Sequence, residues 1–173
     1  MRWIPHKSKD GTVYVVNHLH PFQYRLTLQA KNNLPEMTVQ VHVAFGMHCF
    51  TKQIQPGDCP GDLYSDAREQ RTFEHLRYTL SKELPKIART LTERHCAFAK
   101  NQNYVTVDCT ASNGIKYRYG VFFNMKQIAS KTILVTIQSA YPFETDKAEP
   151  GQGRIRFNVL IGHTLRGTRP KAP

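Results

Sequence analysis

The runs Gly114-Ile-Lys-Tyr-Arg-Tyr-Gly-Val-Phe-Phe123 and Thr132-Ile-Leu-Val-Thr-Ile-Gln-Ser-Ala-Tyr141 decide how this chain reads. Asn103-Tyr-Val-Thr-Val-Asp-Cys109 precedes them and Gly153-Arg-Ile-Arg-Phe-Asn-Val-Leu-Ile161 comes after. All four have strand character, and successive side chains in a strand point to opposite faces. Ile115, Tyr117, Tyr119, Val121 and Phe123 therefore share one side, with Lys116 and Arg118 on the other. In the last run Ile155, Phe157, Val159 and Ile161 oppose Arg154, Arg156 and Asn158. The third run alternates less cleanly, setting Ile133, Val135, Ile137, Ser139 and Tyr141 against Leu134, Thr136, Gln138 and Ala140. Residues 103–163 thus predict a sheet with one apolar face and one cationic, hydroxylic face. No Asp or Glu lies between Asp108 and Glu144, and none after Glu149, so the polar face suits an anion.

Working outward, 173 residues suffice for one domain with its own core and do not require two. Lys and Arg outnumber Asp and Glu by 24 to 13, a formal charge of +11, which favours polyanionic partners: RNA, DNA or an acidic lipid surface. A non-functional reading, a basic surface that is merely soluble, stands beside it. No apolar run approaches the ~18 residues of a membrane span. The N-terminal Met-Arg-Trp-Ile-Pro-His-Lys lacks the apolar stretch of a signal peptide. The expectation is a cytoplasmic protein with no membrane partner. Cys49, Cys59, Cys96 and Cys109 form no Cys-x-x-Cys pair and read as small buried hydrophobes.

The N-terminal part (1–58) reads as a β-meander. Phe22, Tyr24, Leu26 and Leu28 alternate with polar residues, as do Met37, Val39, Val41, Val43 and Phe45. Residues 65–98 carry the helical signal, with Phe73, Leu76, Leu80, Leu84, Ile87 and Leu91 spaced 3, 4, 4, 3 and 4. Ser65 or Asp66 is the expected N-cap, with Glu69 completing a capping box. Pro85 should kink or break the helix and open a second segment. A basic tail, 164–173, lies beyond the last strand. The predicted fold is a single α+β domain whose central helical segment packs on a mostly antiparallel, twisted sheet.

Two-metal nucleases and glycosidases need clustered carboxylates, and this sheet is almost free of them. The Walker, dinucleotide-binding, Gly-x-Ser-x-Gly and His-Glu-x-x-His motifs are absent. No cofactor and no metal is expected. His48, Cys49, Cys59, His95 and Cys96 fit no standard zinc spacing, and a neighbouring His and Cys on one strand point apart. Metal-free RNA cleavage remains open, because RNA supplies its own nucleophile, the 2′-OH. Proton transfer by side chains contributes about 10²–10⁴-fold, and Arg or Lys can hold the phosphate. The candidate catalytic residues are His95, Arg118, Ser139 and Tyr141. The candidate nucleic-acid-binding residues are Lys116, Arg154, Arg156, Lys82 and Arg89. The plainer reading makes the arginines a solvated sheet face and His95 a cation at a helix C-terminus.

A helical segment and then a basic four-stranded sheet, over residues 66–163, resembles small endoribonuclease toxins of the RelE, barnase and colicin-nuclease type. Ser139-Ala-Tyr141-Pro142 is similar to the Thr/Ser-x-Tyr-Pro strand end of several such toxins. The resemblance implies Ser139 and Tyr141 beside an arginine in the site, and an acidic antitoxin or inhibitor as a protein partner. The chain departs from those toxins in its N-terminal meander and in lacking a histidine pair inside the sheet. The whole chain also resembles small bacterial proteins labelled "stationary phase growth adaptation" or "heat shock protein C". Ala44-Phe-Gly-Met-His-Cys-Phe50, Gln138-Ser-Ala-Tyr141 and Gly153-Arg-Ile-Arg-Phe157 carry that likeness, and the labels imply no mechanism. The function expected is a toxin-like or stress-linked, metal-independent endoribonuclease. The alternative is a non-enzymatic nucleic-acid-binding or protein-interaction module of a mobile element.

Overall fold

A computed structural model describes residues 2–30, 36–99, 102–111, 114–143 and 152–168. The described residues are mostly β, 50% strand and 21% helix. This corrects the expected α+β layout of a central helical segment on a mostly antiparallel sheet. In chain order the strands are β1 (His6–Lys7), β2 (Val13–Tyr14), β3 (Phe22–Leu28), β4 (Met37–His48), β5 (Thr51–Lys52), β6 (Leu63–Ser65) and β7 (Gln70–Phe73). Two short helices, α1 (His75–Ser81) and α2 (Leu84–Arg89), come next. The remainder is β8 (His95–Ala99), β9 (Gln102–Thr110), β10 (Lys116–Ala129), β11 (Thr132–Pro142), β12 (Gln152–Arg156) and α3 (Phe157–Leu165).

Seven strands form one sheet in the order β12-β8-β9-β10-β11-β4-β3. The sheet is mixed. β4 lies parallel to β11 and every other pair is antiparallel. The N-terminal strands β3 and β4 thus extend the C-terminal sheet. Val39, Val41, Val43, Phe45 and Met47 of β4 and Ile133, Val135 and Ile137 of β11 are buried on one face. Val105, Tyr119, Val121 and Phe123 continue that face on β9 and β10. Leu80, Leu84, Ile87, Leu91, Phe157, Leu160 and Ile161 close over it. Each such burial is worth about 1.5–3 kcal/mol in transfer free energy.

A bulge changes the alternation in β11. Phe122 pairs with Ser139 and Phe123 with Ile137, leaving Gln138 as the extra residue. A bulge inserts one residue and reverses the facing of the side chains beyond it. Strict alternation puts Ser139 and Tyr141 with the apolar set; the bulge turns both to the opposite face, and Ala140 is buried instead. Gly46 of β4 lies against it, and a Cβ there would stand 2.6 Å from the Gln138 carbonyl oxygen.

The helical stripe is apolar and mostly buried, as its spacing implies, but no single helix carries it. Phe73 ends a strand, and Leu91 lies in a 3₁₀ turn, Leu91–Glu93. The cap of α1 is Glu74, whose carboxylate accepts from the Leu76 and Arg77 amides at 3.2 and 2.7 Å. Asp66 caps a turn instead, accepting from Arg68 and Glu69 N–H at 2.8 and 3.1 Å. Pro85 is the second residue of α2, where its missing N–H costs nothing. A further correction concerns 157–161. Phe157, Leu160 and Ile161 are spaced for a helix face, and α3 begins at Phe157, leaving Asn158 and Val159 exposed. Residues 169–173 of the basic tail lie outside the described residues.

Candidate functional site

The sheet face opposite the helices carries the site. Its rows are set by the registers. Arg156 stands opposite His95, and Ala97 opposite Tyr104. Tyr104 pairs with Phe122, Thr106 with Gly120, Asp108 with Arg118 and Thr110 with Lys116. Gly120 pairs with Tyr141, Phe122 with Ser139, and Ser139 with His48. Paired residues share a face, so these positions form one surface. Lys116, Arg118, Arg154, Arg156 and His95 are exposed on it, while Ser139 and Tyr141 are half-buried. None of the ion pairs among the described residues involves Arg154 or Arg156. Asp108 opposes Arg118 across the β9–β10 pair.

An aromatic column crosses the middle of this face. Tyr104 stacks on Phe122 (5.3 Å between centroids, 20° between planes) and Phe122 on Tyr141 (5.1 Å, 13°). Phe143 meets all three edge-on. The Arg77 guanidinium caps the column 5.1 Å from the Tyr141 centroid. Tyr104 and Phe122 are each 3% exposed, whereas Tyr141 and Phe143 keep part of their surface. Burial pushes the Tyr141 phenol above its ordinary pKa, partly opposed by Arg77. On the β8 side a shallow groove of about 390 Å³ is lined by His95, Ala97, Tyr104, Thr106 and Arg154.

At the other end, beside β4, stands a second polar group. His48 Nε2 lies 2.8 Å from Glu69 Oε1, and Arg71 Nη1 lies 3.5 Å from Glu69 Oε2. Arg77 Nη1 donates to the carbonyls of His48 (3.3 Å) and Thr51 (2.8 Å). Glu69 is held by the Asp66 turn, in which Asp66 N–H donates to the Glu69 carbonyl at 3.0 Å.

The structure therefore brings Arg118, Lys116, Arg154, Arg156, His95, Ser139 and Tyr141 onto one face. It divides them along it. Three strand spacings of ~4.8 Å separate His95 from Tyr141, about 14 Å. His95 begins a strand and is not a helix C-terminal cation. Lys82 and Arg89 belong to the helical layer; Lys82 lies over Tyr78 (5.0 Å) and Arg89 over Phe22 (4.2 Å). His48, Glu69 and Arg77 escape a reading by sequence, because they come from three separate elements.

Cys49, Cys96 and Cys109 are buried and Cys59 partly so. Burial pushes the Cys49 and Cys96 thiols up to about 12 and that of Cys109 to about 11, so at neutral pH all three are thiols, not thiolates. Among the described residues no three His, Cys, Asp or Glu side chains converge on a metal position. Among the described residues no helix is long and apolar enough to cross a membrane. No curated protein and no solved structure matches the chain. Residues 5–165, spanning both the helix-covered sheet and its open cationic face, match the YjaZ family, and the chain belongs to that family.

Proposed function

We propose that the open sheet face binds single-stranded RNA. The observation that carries this is the alignment of exposed Lys116, Arg118, Arg154, Arg156 and His95 across four strands, beside the partly exposed rings of Tyr141 and Phe143. Cations that track a phosphate backbone supply affinity, and aromatic surface among them gives unpaired bases something to stack on. A duplex hides its base faces, so single strands fit this surface better. His95 and Tyr141 stand too far apart to act as acid and base on one phosphate, so the residues put forward from sequence support binding ahead of cleavage.

The test is fluorescence anisotropy with labelled single-stranded and duplex RNA across a salt series. Single strands should bind more tightly, with affinity falling steeply between about 50 and 200 mM salt. The R118A/R154A/R156A variant, shown folded by circular dichroism, should lose roughly 0.7 in the log–log salt slope for each phosphate contact removed. An unchanged slope, or no binding at about 50 mM salt, overturns the proposal.

A further inference from the structure

Resting on that RNA-binding reading, we infer that the β4–β11 end of the same face is a metal-independent RNA-cleaving centre, with His48 as general base and Tyr141 as general acid. Glu69 is a positioning residue in this scheme. Its carboxylate takes the Nε2–H of His48 at 2.8 Å, which fixes the tautomer and leaves the Nδ1 lone pair for a proton. Arg71 and the Asp66 turn hold Glu69 in turn. Ser139 is the direct neighbour of His48 on the parallel strand, and Tyr141 lies two residues further along β11 on the same face. Strand geometry puts the His48 and Tyr141 Cα atoms about 8 Å apart, room for one phosphate between the two side chains. Ser139 and Tyr141 are both half-buried, so each keeps part of its surface open to a ligand on this face.

The step balances with RNA alone. The 2′-OH proton passes to His48 Nδ1 as O2′ bonds to phosphorus. The P–O5′ bond breaks, and Tyr141 gives its phenolic proton to O5′. The products are a 2′,3′-cyclic phosphate and a 5′-hydroxyl end; proton exchange with water then resets His48 and Tyr141. Arg77, bonded to the His48 carbonyl and seated over Tyr141, would face the charge that builds on the phosphorane. The charged and titratable groups facing His48 are Glu69, Arg71, Arg77 and Tyr141.

Incubation of the full chain with labelled single-stranded RNA in EDTA should yield cyclic-phosphate ends. His48→Gln and Tyr141→Phe should each slow cleavage about 10²-fold or more while leaving the far-ultraviolet dichroism and the urea midpoint near those of the parent chain. Glu69→Gln should slow it less and shift the acidic limb of the pH–rate profile, a change that a purely structural role would not produce. Binding without cleavage, or full cleavage by His48→Gln, overturns this inference and leaves RNA binding standing. Absence of binding overturns both.

Discussion

Gly120 shows how one missing side chain shapes the open face. A Cβ there would stand 2.4 and 2.7 Å from atoms of the Phe143 ring, so the ring occupies the space that glycine vacates. Gly120→Ala should displace Phe143 and cost about 1–3 kcal/mol as overpacking. In a Phe143→Ala background the same change should cost much less, with only the Phe122 ring edge left at 3.1 Å, and a double-mutant cycle by urea denaturation measures the difference. Equal costs in both backgrounds would show that Phe143 is not the obstacle. At this scale the sequence was legible in part. Lys116, Arg118, Arg154 and Arg156 sit where strand alternation places them. Ser139 and Tyr141 do not, because alternation cannot foresee the extra residue at Gln138. His48 and Glu69 carry no signal of their own, since their meeting depends on a loop folding back over twenty residues later in the chain.

Among the elements, the helices departed most from their spacing. The stripe from Phe73 to Leu91 is apolar because it faces the core, and a core-facing strand end, two short helices and a 3₁₀ turn satisfy it as well as one long helix does. Periodicity reports which residues are covered, and the backbone chooses how. The start of α1 depends on Glu74, which satisfies two amide donors that a helix of seven residues can ill spare. Glu74→Ala should therefore cost about 0.5–2 kcal/mol, read from the urea midpoint, and Glu74→Asp should recover much of it. Failure of Asp to recover any would mean that the carboxylate acts other than as a cap. The run from Gly153 holds a comparable ambiguity. Ile155 obeys a strand and Phe157, Leu160 and Ile161 a helix, while Ile155, Phe157, Val159 and Ile161 read alone alternate as a strand.

For the molecule as a whole, acid should be the destabilising direction. Burial, with Lys82 and His20 adding to it, lowers the His18 pKa from 6.5 to about 4. Burial likewise lowers that of His6, which is stacked on Phe73 at 4.3 Å. A histidine kept neutral in the fold takes up its proton only on unfolding, so stability is full above pH 6.5 and declines as pH falls toward about 4. Proton uptake on unfolding near pH 5, measured by calorimetry in paired buffers, should drop by about one proton in His18→Gln. No drop would mean that the ring already titrates normally in the native state. The seam between β4 and β11 has a consequence in time. β4 gains β3 as soon as the hairpin is made, but its other edge waits for a strand synthesised late in the chain. Until then a nascent chain carries twelve residues, with Met37, Val39, Val41, Val43, Phe45 and Met47 along one side, and one bonding edge unmatched. The arrival of β11, not the first emergence of the apolar strands, is therefore when this seam stops being sticky.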